Sequence, residues 1–220
     1  MDFLIFLGAF ISLFLMSRLF TIQLGQALVG LTRSQSVSIH VLALFFFPGV
    51  MIHELGHFFM ASILFVPTGE IEFLPKMQTG GVKLGSVAIG RTDPLRRLLI
   101  GVAPVLGGIG ILFLASYYLT PLLPLSWKTI LFAYILFEIG NTMFSSEKDL
   151  EGAALFLAFV GFIFLCLFII GARIPESVWG WIFGLASSPV FLQMGIWLGA
   201  SCVLNSILWA VLKIIFRRTW

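Results

Sequence analysis

His53, Glu54 and His57 lie in the run Val50-Met51-Ile52-His53-Glu54-Leu55-Gly56-His57-Phe58-Phe59-Met60, whose other members are all uncharged. On a helix of 3.6 residues per turn the two histidines, four apart, share one face. There two imidazoles can bind one Zn²⁺ while Glu54 takes a proton from a metal-bound water. That is zinc-hydrolase chemistry. The bland alternative is a pair of buried histidines satisfied by backbone carbonyls, and it leaves Glu54 needing partners that its apolar neighbours cannot supply.

The elements that must position these residues belong to a membrane. The 220-residue chain is 60% hydrophobic and 10% charged, with mean hydropathy +1.09, outside the range of a soluble domain. A hydrocarbon core about 30 Å thick needs about 20 apolar residues per helix. The stretches 2–18, 40–65, 97–119, 129–148, 153–172 and 192–215 meet that need, so the expected fold is an all-α polytopic membrane protein of about six transmembrane helices. The first stretch has no small-residue cleavage site before Arg18 and reads as a retained anchor. Residues 178–192, broken by Gly180, Gly184 and Ser187-Ser188-Pro189, read as an interfacial or re-entrant piece.

Six spans place both termini and the 66–96 and 145–152 loops on one side with Lys76, Lys83, Arg91, Arg96, Arg97, Lys148, Lys213, Arg217 and Arg218. The other side holds Arg18, Arg33, Lys128 and Arg173. The positive-inside rule makes the first side cytoplasmic and the location a cell membrane. A net charge of +3 then reports orientation and lipid headgroups, and no basic run with interleaved aromatics points to nucleic acid. Cys166 and Cys202 are read as small apolar fillers. No repeat or linker divides the chain, so 1–220 is one domain.

A catalytic zinc has three protein ligands and an open position, so the motif lacks one. His40 would lie about 20 Å away along the same helix. The carboxylates gather around the fourth span: Glu138, three residues before Asn141, then Glu147, Asp149 and Glu151. Straight-helix depth brings Glu138 level with His53, whereas Asp149 needs an unwound segment to reach inward. Ser146-Glu147-Lys148-Asp149 also has the Ser-x-x-acid pattern of a capping box. Asn141 reads either as a substrate-holding amide or as an interhelical hydrogen bond.

These residues together resemble the site-2 protease family of intramembrane zinc metalloproteases. That family pairs His-Glu-x-x-His with an Asn on a later helix and an Asp eight residues beyond it, the spacing of Asn141 and Asp149. Gly101-Val102-Ala103-Pro104 looks like the small-residue-plus-proline stretch the family carries between them. The resemblance covers about residues 40 to 150 and implies a metalloprotease core of about 40–152. It implies Zn²⁺ held by His53, His57 and Asp149, with Glu54 as general base and Asn141 at the substrate. The chain departs from the family pattern at Phe144, in place of Pro, and at Leu150, in place of Gly, which leaves Glu147 and Glu151 open as substitutes for Asp149.

Between the motif and the third span, Thr68 to Gly90 partly alternates apolar and polar residues between Gly and Pro turn signals. It reads as a short membrane-associated β-hairpin whose edge can take up an extended peptide. The function expected is hydrolysis of peptide bonds in or near transmembrane segments of membrane proteins in the lipid bilayer. No loop is long enough for an appended domain, so selection is expected to come from the membrane core, a regulatory membrane partner or prior trimming of the substrate. The competing expectation is a non-catalytic membrane subunit or scaffold that keeps the metal site.

Overall fold

The computed structural model describes residues 1–73, 75–78, 81–118, 126–143, 147–171 and 175–216, without the side chains of 76–78, 81–83, 118, 147–153, 157, 181–182 and 185–186. In chain order the elements are α1 (Asp2–Thr32), α2 (Gln35–Phe45), α3 (Phe47–Ile63), β1 (Thr68–Glu72), β2 (Lys76–Gln78), β3 (Gly81–Lys83), β4 (Ser86–Ile89), α4 (Pro94–Tyr118), α5 (Trp127–Thr142), α6 (Glu147–Ile169), α7 (Glu176–Ala186) and α8 (Pro189–Ile215).

The expectation of about six transmembrane helices is overturned. Among the described residues α1, α4 and α8 are long and apolar enough to cross a membrane, and the bent pair α2 and α3 makes a fourth if counted as one span. A hydropathy window averages over a stretch and does not register where helical hydrogen bonding stops. The expected span 129–148 is α5, which ends at Thr142 after 16 residues, about 24 Å of helix against a core of about 30 Å. The apolar part of α6, Ala154–Ile169, is likewise short. α7 has 11 residues and exposes Val178, Trp179 and Phe183. Several long apolar helices with lipid-ready faces nevertheless make this a multi-pass membrane protein in composition and build.

The expected span 40–65 is also two helices, meeting at Phe46 with a 73° bend. Pro48, at the start of α3, has no N–H to continue the hydrogen-bond ladder. The Tyr134 hydroxyl donates to the Phe45 carbonyl at 2.6 Å, satisfying a group beside the break. His40 therefore stands on α2, off the axis of the motif helix, with its ring Nδ1 donating to the Ser36 carbonyl at 2.7 Å.

α1 turns into α2 through Arg33, which takes the left-handed conformation at φ 53°. A Thr32–Ser38 hydroxyl pair at 2.7 Å ties that corner. α1 and α8 lie side by side and parallel. Phe3 and Phe6 each meet Phe191 with ring centroids 5.4 Å apart, and Gly30 faces Phe216 at the other end. Gly195 makes the approach possible, since a Cβ there would stand 3.2 Å from the Phe6 backbone nitrogen.

One core joins Phe6 and Leu13 of α1, Leu112 of α4, Leu136 of α5 and Met194 and Leu198 of α8. A second joins Phe20, Leu42, Phe46, Val50 and Phe137. Between α3 and α4 the strands nest as two antiparallel pairs, β1 with β4 outside and β2 with β3 inside. Asp93 then starts α4, its Oδ1 accepting from the Arg96 backbone N–H at 3.0 Å. That hydrogen bond holds the Asp93 carboxyl below the usual carboxylate range.

Candidate functional site

α3 carries His53, Glu54 and His57 into the interior, at 4%, 7% and 8% exposure. The imidazole centroids are 4.9 Å apart with the rings nearly perpendicular. The helix reaches this depth through its small residues. Gly49 abuts Thr142 and the Glu138 carbonyl of α5, and Gly56 abuts Pro104 of α4.

His57 is oriented from α4, with Nδ1 2.8 Å from the Ile100 carbonyl oxygen. A carbonyl only accepts, so Nδ1 carries the proton in this bond. A buried structural histidine makes the same kind of bond, and orientation by a backbone carbonyl is equally what a reactive imidazole needs. His53 borders a cavity of about 10 Å³ between α3, α4 and α5, walled also by Gly49, Ile52, Pro104, Ile139 and Thr142. That is close to the smallest space that holds one water.

Glu54 is covered from the strand segment. A Cβ on Gly85, between β3 and β4, would stand 3.0 Å from Glu54 Cγ, 3.2 Å from its Oε1 and 2.7 Å from Val50 Cγ1. Leu84 beside it packs on Phe20, Leu42, Phe46, Val50 and Phe137. Gly85 is a residue that sequence reasoning missed, because Gly80-Gly81 is the stronger turn signal and nothing local marks Gly85 as a close approach.

The expected Zn²⁺ is not supported by the residues in place. Among the described residues no group of three or more His, Cys, Asp or Glu stands close enough to hold a metal ion. Two imidazoles that lack a third ligand among the described residues do not make the expected site. For Glu138 the physical reason is rotation. Depth along a straight helix places it level with His53, but α5 turns Ile139 and Thr142 to the His53 cavity. Glu138 is fully buried, with neither carboxyl oxygen hydrogen-bonded among the described residues. The backbone of Asp149 is in the first turn of α6. Its side chain, those of Glu147 and Glu151, and Ser146 of the capping box lie outside the described residues.

Asn141 is buried and engaged by protein. Its Oδ1 accepts from Asn205 Nδ2 of α8 at 2.6 Å, and its Nδ2 donates to the Phe137 carbonyl at 2.8 Å. Asn205, fully buried, also went unrecognised. Its signal was available as an amide in the middle of a mostly apolar helix, where a polar residue calls for a partner. Cys166 on α6 and Cys202 on α8 are free and half-buried. Compared with known proteins, the chain matches no family model, no curated protein and no solved structure.

Proposed function

We propose that this protein is an intramembrane peptidase that hydrolyses peptide bonds in or near the transmembrane segments of other membrane proteins, with Glu54 as general base. The observation that carries the reading is the burial of His53, Glu54 and His57 together on α3 inside an apolar bundle. Ionisable groups at such depth are costly and are retained for function by default. The likeness of the motif and of the Asn141–Asp149 spacing to the site-2 protease family belongs to the same proposal.

In this reading Glu54 takes the proton of a water as it attacks the peptide carbonyl and returns it to the departing amine. The His57 ring is held in one orientation through Ile100, and His53 borders the small cavity between α3, α4 and α5. The substrate must arrive extended, because a helix hides its carbonyls in its own hydrogen bonds. β4 begins one residue after Gly85, so a peptide laid along it reaches Glu54. Access is selected within the membrane or by a regulatory membrane partner.

For orientation, Lys76, Lys83, Arg91, Arg96 and Arg97 favour a cytoplasmic strand segment and amino terminus. The parallel packing of α1 and α8 favours the opposite face for the carboxyl terminus, in place of two cytoplasmic termini.

The test is cleavage of a transmembrane peptide by purified protein. Glu54→Gln removes the proton carrier while keeping its shape, and turnover should fall by about 10²- to 10⁴-fold. Cleavage at the wild-type rate in Glu54→Gln would remove the hydrolase reading and leave the non-catalytic membrane subunit in its place.

A further inference from the structure

Pro104 stands inside α4, four residues after Ile100. At that position an ordinary residue donates its N–H to the carbonyl four back. Proline has no N–H, and its ring crowds that carbonyl and tilts it away from the helix axis. A carbonyl freed at membrane depth must find another donor. The Ile100 carbonyl finds one in His57 Nδ1, at 2.8 Å and 43 residues distant in sequence. Gly56, the residue before His57, allows the short reach, since a Cβ there would stand 3.2 Å from Pro104 Cα and 3.4 Å from Pro104 N.

We propose that Pro104 is a positioning residue for the reaction: it strips Ile100 of its helical donor so that the carbonyl holds the His57 ring in one orientation through Nδ1. Pro104 acts only through His57. The inference rests on the hydrolase reading for its catalytic consequence, while the hydrogen bond it explains is measurable without activity.

The experiment is Pro104→Ala in the full-length protein, with three readouts: thermal stability, kcat and KM on a transmembrane peptide, and ¹⁵N NMR of histidine-labelled protein, in which three histidines give separable signals. Restoring the N–H at 104 draws the Ile100 carbonyl back to the helix axis. The expected outcome is a higher Tm, a kcat lowered about tenfold or more at unchanged KM as the ring is misplaced, and a His57 Nδ1–H signal shifted towards a weaker hydrogen bond. The opposite signs matter, because a proline with a merely structural role moves stability without moving kcat.

An unchanged His57 signal, or a shifted signal with unchanged kcat, overturns the inference. Gly56→Ala approaches the same contact from α3, and it should shift the His57 signal and lower kcat in the same direction. Unchanged values there overturn the inference even if Pro104→Ala cannot be recovered. Wild-type cleavage by Glu54→Gln is a separate failure, of the hydrolase reading, and is distinguishable because the His57 signal still reports on Pro104.

Discussion

Gly85→Ala is the sharpest probe of how the strand segment meets the motif. The new Cβ would fall 2.7 Å from Val50 Cγ1 and 3.0 Å from Glu54 Cγ, where carbon atoms prefer about 3.5–4.0 Å. Roughly 1 Å of movement is required. Val50 has one strongly preferred rotamer on a helix, and it is packed against Phe20, Leu42, Phe46 and Phe137, so it does not yield. Either the segment lifts or Glu54 turns. Overpacking of this kind costs about 1–3 kcal/mol, and a misplacement near 1 Å at a reacting group can cost about 10²-fold in rate. The assay is thermal unfolding together with peptide cleavage. Gly69→Ala serves as the comparison, because its Cβ would press on Ala88 in the same sheet, at 3.0 Å, away from Glu54. It should lose stability and keep turnover. Wild-type stability and turnover in Gly85→Ala would refute the packing argument, and lost stability with intact turnover would refute the claim that this contact places Glu54.

In a double-mutant cycle, Asn205→Ala and Asn141→Ala should each lower stability, and the pair should couple by about 0.6 kcal/mol, the average for such bonds in membranes; additive losses would deny that the 2.6 Å bond contributes. Glu138→Met should raise stability by about 1–3 kcal/mol, because it removes a buried carboxyl unpartnered among the described residues. It should leave cleavage unchanged, and a large loss of turnover would return Glu138 to the site. Cysteines introduced at Asp2 and at Phe216 should label from opposite faces of the membrane; labelling from one face would contradict the parallel α1–α8 pair.

Much of the candidate site is legible in the residues alone. Helical periodicity sets His53 and His57 on one face with Glu54 beside them, and composition alone establishes a membrane environment. Both are local or averaged properties, determined before any helix meets another. The number of spans was not legible, because α5 stops at Thr142 and α2 bends from α3 at Phe46, and a window sum passes over such breaks. Nor did depth along α5 reveal which way Glu138 turns, since rotation about a helix axis is set by its neighbours. The tertiary structure decided the contacts around the candidate residues: the Ile100 carbonyl on His57, the Gly85 backbone against Glu54, and the Asn205 amide on Asn141. Those partners come from other helices or from the strand segment. The close approach that joins them is a property of packed backbones, which no period along a single chain encodes.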